Sequence, residues 1–138
     1  MGEIAGELMA LFADGFLRRL HVARTRRRLA AGKPVRMPCS ARSRRPGWPA
    51  DHYAGGRLRI TPGAPAVRFT VRGAAVEPEL ATGGAFHDPE PDTWHDQDWA
   101  ATSYLPPGPG EPVFLQVDSR YLPLLHLVLA APAAQQRT

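Results

Sequence analysis

Glu111–Leu129 reads EPVFLQVDSRYLPLLHLVL, and its interpretation decides the fold. Its first eight residues, EPVFLQVD, give the strongest strand signal in the second half of the chain. The period then becomes helical. Tyr121, Leu122, Leu124, Leu125, Val128 and Leu129 supply a broad apolar face, and Ser119 is the residue type that caps a helix start. With Ser119 as cap, Pro123 falls in the first turn, where its missing N–H costs little. The strand therefore runs straight into an apolar C-terminal helix.

Upstream, the alternating period recurs. Val35, Met37 and Cys39 alternate with Arg36, Pro38 and Ser40, predicting a strand with one side inward, and Pro38 places it at an edge or bulge. The run Trp48–Tyr53 is a possible short strand, and Ala54–Gly56 predicts a tight reversal into RLRIT, so a hairpin is the simplest description. AVRFTVRG, from Ala66, turns Val67, Phe69 and Val71 to one side and ends at Gly73. From Glu77 to Gly110 the periodicity fades, apart from a weak strand candidate over Trp99–Leu105, and Pro106–Gly110 is a rigid turn.

The first 33 residues differ in kind. Ile4, Leu8, Phe12, Phe16 and Leu20 recur every four residues, with Leu11 and Leu17 beside them, which is the pattern of an amphipathic helix. Three acids between Met1 and Leu17 make it a poor membrane span, because a carboxylate at the bilayer centre costs roughly 2.5–3.5 kcal/mol. An arginine cluster follows at once: Arg18, Arg19, Arg24, Arg26, Arg27 and Arg28. An apolar stripe joined to basic residues suits a helix lying at an anionic membrane surface. The same stripe equally suits packing on its own domain, on a protein partner or on a second copy.

A chain of 138 residues is one ordinary domain with appendages. The expected division is 1–33 for the basic helix, 34–132 for a β domain whose closing helix spans 119–130, and 133–138 for a tail. The 15 prolines and 13 glycines favour a loop-rich fold. A lone cysteine, Cys39, cannot form an internal disulfide, and the N-terminus lacks the basic start and apolar run of a signal peptide, so a cytoplasmic location is expected.

Charge is segregated along the chain. Thirteen of the 17 basic residues lie between Arg18 and Arg59 with one acid, Asp51; nine of the 13 acids lie between Glu77 and Asp118 with no Lys or Arg. The two halves either attract each other or present a basic surface to anionic lipid or nucleic acid. Nucleic-acid binding through the arginines between Arg18 and Arg45, in the basic N-terminal half, is the weaker alternative, because no aromatics are interleaved with the helix arginines for base stacking.

Several of these residues carry a resemblance. The stretches FLRRLHVARTRRRLAAGK (Phe16–Lys33), CSAR (Cys39–Arg42), Gly47–Trp48, YAGGRL (Tyr53–Leu58) and FLQVDSRYLPLLHLVLAAP (Phe114–Pro132) cover about half the chain. In them the sequence resembles an actinobacterial family of small membrane-anchored proteins, defined as a domain of unknown function, with a compact β domain. The resemblance implies a small pleckstrin-homology-like sheet closed by the terminal helix, and a place at the inner membrane face. It implies no chemistry. The leading helix is more acidic here than the family's span, and the loop from Phe86 to Trp99 has no counterpart.

That loop, AFHDPEPDTWHDQDW from Ala85, is the one stretch with candidate ligands. His87 with Asp88 and His95 with Asp96 offer nitrogen and oxygen donors. A calcium loop begun at Asp88 puts Thr93 where a sharp-turn glycine belongs and Trp99 where a bidentate Glu belongs, and no His-Glu-x-x-His helix is present. A metal-dependent hydrolase on these four residues is therefore only a second alternative. Glu90 and Asp98 could act as acid and base only inside a dry pocket, and Pro89 and Pro91 argue for a wet, extended backbone. Cys39 has no activating motif and reads as a buried structural thiol; His126 reads as a rim or core histidine. The sequence thus predicts an α+β, mainly β, domain acting as a non-enzymatic binding or scaffold module without a cofactor. The residues expected to meet its partner are Leu8, Phe12, Phe16 and the six helix arginines.

Overall fold

The computed structural model describes residues 2–89 and 98–130, with side chains from Phe16 onward. Helix α1 (Gly2–Ala30) leads into seven strands: β1 (Val35–Ser43), β2 (Ala54–Ile60), β3 (Ala66–Thr70), β4 (Glu79–Ala81), β5 (Ala85–His87), β6 (Trp99–Leu105) and β7 (Val113–Asp118). A 3₁₀ turn (Ser119–Tyr121) then enters helix α2 (Leu122–Leu129). The fold is α+β and predominantly β.

All seven strands form one sheet in the order β4-β3-β2-β1-β7-β6-β5, antiparallel throughout. The connectivity forces this sheet to curl. Its two outermost strands, β4 and β5, are joined through residues 82–84 alone. A flat seven-strand sheet would hold them about 29 Å apart at about 4.8 Å per spacing, roughly twice what the four peptide links from Ala81 to Ala85 can span. The sheet therefore rolls into a half-barrel with its ends brought together.

Tyr104 on β6 fastens that closure from within. Its hydroxyl accepts from the Gly84 amide at 2.9 Å and donates to the Ala81 carbonyl at 2.6 Å, with the Leu129 carbonyl at 3.1 Å. One buried side chain thus ties the turn between the edge strands to the end of α2. Gly84 is glycine for a steric reason: a Cβ there would lie 2.2 Å from the Leu105 carbonyl and 2.8 Å from the Tyr104 ring. The Gly83 amide also donates to the Leu129 carbonyl at 2.8 Å, so α2 ends against the same turn.

The core fills the curl. Met37, Leu58, Phe69, Leu80, Tyr104, Val113, Leu115 and Val117 are almost fully buried, and α2 inserts Leu124, Leu125 and Leu129 among them. On β7 the alternation is regular, buried and half-buried residues taking turns from Val113 to Asp118. At α2 the start differs from the expected Ser119 cap. The Asp118 carboxylate accepts from the Arg120 amide at 2.9 Å and opens the 3₁₀ turn, and the α-helix begins only at Leu122, with Pro123 in its first turn.

Three further expectations are corrected. Strand β1 is the middle strand of the sheet, not an edge; the β7 ladder covers only Ser40–Ser43, so Pro38 sits where β2 is the one paired neighbour. Residues 48–53 are loop, tied by the Ser43 amide to the Pro49 carbonyl at 2.8 Å, and Trp48 is buried flat against Phe69 with ring centres 5.4 Å apart. The reversal expected at Ala54–Gly56 lies instead inside β2. Gly56 is needed there because a Cβ would meet the Thr70 carbonyl at 2.3 Å and the Phe69 ring at 3.0 Å.

Candidate functional site

Among the side chains described on α1, three face the domain. Val22 and Thr25 are buried and Leu29 is partly buried, a spacing of three and four that turns one helix stripe onto the start of β1 and the 3₁₀ turn. The adjoining stripe, His21, Arg24 and Arg28, then overhangs the outside of the sheet. Strand alternation meets it from below: with Val35, Met37, Leu58 and Ile60 inward, Arg36, Arg57 and Arg59 point outward.

These two walls enclose a cleft of about 660 Å³. It continues along α1 into a second hollow of about 450 Å³ that shares His21, Thr25, Arg36 and Arg57 and adds Arg18, Trp99 and Tyr121. Both volumes fall in the range of small-molecule sites. The lining is strongly cationic. Among the described residues its one lining carboxylate is Asp118, in the second hollow, already engaged with the Arg120 amide.

The sheet register concentrates the charge further. Arg36 stands directly opposite Arg59, and Arg59 directly opposite Arg68, so three guanidiniums line up across β1, β2 and β3. Like charges in such pairs destabilise a sheet. Two are partly compensated: Arg68 meets Glu79 at 3.3 Å and Arg59 meets Glu77 at 3.9 Å. Among the described residues no carboxylate lies within ion-pair distance of Arg24, Arg36 or Arg57. The Arg18–Asp98 pair, 4.0 Å apart, joins the helix to the start of β6. Such exposed pairs contribute about 0–1 kcal/mol each.

The predicted partner-binding residues divide into three groups. Arg18, Arg24 and Arg28 line the cleft, Arg28 also reaching the Pro34 carbonyl at 3.4 Å. Arg19, Arg26 and Arg27 are exposed on other sides of the helix. Phe16 is 63% exposed, with Leu17 at 51% and Leu20 at 44% beside it, so these three apolar side chains are left uncovered. The side chains of Leu8 and Phe12 lie outside the described residues. Arg36, Arg57 and Arg59 belong to the basic stretch Arg18–Arg59, and Arg36 to the arginines expected for nucleic acid, but the sequence does not single them out as a cluster, although VRMPC and GRLRI place an arginine at each outward position.

His87 and Asp88 are exposed at and just after β5, while His95, Asp96 and Glu90 lie outside the described residues. Among the described residues no three His, Cys, Asp or Glu side chains gather as a metal site. Asp98 is exposed beside Arg18. Cys39 is buried, and burial pushes its thiol up to about 12. His126 sits at the rim of α2, its ring stacked on Phe86 at 4.0 Å. Among the described residues no helix is long and apolar enough to cross a membrane.

No family model matches the chain, and no curated protein or solved structure is significantly similar to it.

Proposed function

We propose that this protein is a non-catalytic binding module that rests on an anionic membrane surface, at the inner face, through the Phe16–Leu20 stretch of α1. The observation that carries the reading is the exposure of Phe16, Leu17 and Leu20 on a helix whose following turns are clamped to the barrel. A stripe that its own domain leaves uncovered is available to an external apolar phase. Each large apolar side chain moved out of water contributes up to about 1.5–3 kcal/mol. Arg18 and Arg19, between those side chains, each add about 1 kcal/mol near anionic headgroups. The half-barrel serves as the rigid mount.

The test is sedimentation with phosphatidylcholine vesicles containing phosphatidylglycerol, at low salt. The full chain should pellet with them, stay in the supernatant with phosphatidylcholine alone, and lose the association when Phe16, Leu17 and Leu20 are all changed to Ser. Failure to pellet, or equal pelleting of the triple variant, refutes the lipid surface; association of the full chain with itself, lost in that variant, would put a second copy in its place.

A further inference from the structure

We infer that the cleft between α1 and the outer face of β1–β2 is a binding site for a phosphate-bearing anion of small-molecule size. Arg24 and Arg28 grip it from the helix, and Arg36, Arg57 and Arg59 from the sheet. The inference goes beyond membrane docking and stands without it, because these residues are distinct from Phe16, Leu17 and Leu20.

Convergence is the first argument. The five guanidiniums come from three elements: a helix stripe fixed by the burial of Val22 and Thr25, and two strands fixed by the Val35–Ile60 register. Neither wall can rotate its backbone away from the cleft without exposing that core. The second argument is electrostatic. Arg36 faces Arg59 across the ladder, and Arg24, Arg36 and Arg57 have no carboxylate at ion-pair distance among the described residues. Cations held in a cleft with protein walls focus a positive field there. A bound anion is the missing counter-charge.

The chemistry of that anion follows from charge and shape. Glu77 already meets Arg59, which leaves Arg24, Arg28, Arg36 and Arg57; a single carboxylate would offset one of these four charges, whereas a di- or triphosphate offsets three or four and offers the paired oxygens that a guanidinium fork takes in two parallel bonds. Length separates this ligand from nucleic acid. A volume of about 660 Å³ suits a compact group, and a polynucleotide would need contacts along a much longer track. A phosphate monoester on a lipid headgroup and a soluble polyphosphate share this chemistry.

Calorimetric titration of the full chain with inorganic tripolyphosphate at low salt tests the site. Binding should be at least about tenfold weaker in Arg36→Gln/Arg57→Gln, the loss expected from removing charge-assisted hydrogen bonds, and within about twofold of the parent in Arg26→Gln/Arg27→Gln, which removes the same net charge outside the cleft. Arg24→Gln/Arg28→Gln repeats the test from the helix side if the sheet variant does not fold. Vesicles with phosphatidic acid, set against charge-matched phosphatidylserine, identify the source. A phosphatidic acid preference abolished by tripolyphosphate places the ligand on a lipid, and tripolyphosphate binding without that preference places it on a soluble molecule. No heat of binding, equal losses in the cleft and control variants, or tighter binding of duplex DNA through the same arginines would overturn the inference.

Discussion

Arg36 on β1 lies directly opposite Arg59 on β2, both outward-facing, with the arginine stripe of α1 above them. A cross-strand pair of like charges is a cost that the fold carries in the lining of its basic cleft.

That cost is measurable. Changing Arg36 to Thr should raise stability by a few tenths of a kcal/mol at low salt, because it relieves repulsion and places a β-branched residue in the strand. The gain should shrink as salt screens the pair. Thermal melts at low and high ionic strength check it; a variant less stable than the parent at low salt would mean that the arginines are already compensated.

Tyr104→Phe removes the hydroxyl that joins the Ala81 carbonyl, the Gly84 amide and the end of α2. Leaving those buried backbone groups unsatisfied should cost about 1–3 kcal/mol. Urea denaturation reads this directly. An unchanged midpoint would show that the half-barrel closes without Tyr104.

Cys39 should not react with thiol reagents while the chain is folded, and should react stoichiometrically in denaturant, since its thiolate is suppressed by burial. The same shift sets a pH dependence. A thiol that titrates near pH 9.0 when unfolded and at about 12 when folded favours the fold fully below pH 9. That contribution is lost progressively from pH 9 up to about 12, because only the unfolded chain releases the proton there. Tyr104, also raised by burial, acts in the same direction. Denaturant melts between pH 8 and 11 should show stability falling less steeply in Cys39→Ala; equal slopes would contradict the assignment.

The elements legible in the sequence are those whose burial has a strict local period. On β7 and at Val67 and Phe69 of β3, one face meets the core, so hydrophobicity alternates. On α2 an apolar face marks the helix. What was not legible depends on distant partners. β1 reads as an edge because Pro38 interrupts it, and only the return of β7 from residues 113–118 makes it central. β4 and β5, three residues each, are strands because the closing barrel pairs them with β3 and β6. Gly55–Gly56 mimics a turn, yet Gly56 serves to admit Phe69 and the Thr70 carbonyl. The site shows the same division. The helix arginines are conspicuous as a run, whereas Arg36, Arg57 and Arg59 become a cluster only through strand register.

The most direct test of membrane docking is the depth of Phe16 on a vesicle. A nitroxide attached at Phe16→Cys in a Cys39→Ala background, with a control label at Arg26→Cys, reports collisions with oxygen, which concentrates in the bilayer, and with a water-soluble nickel chelate. On phosphatidylglycerol-containing vesicles the label at position 16 should become more accessible to oxygen and less accessible to nickel than the one at position 26. Equal nickel accessibility at both sites, with and without vesicles, would contradict the account.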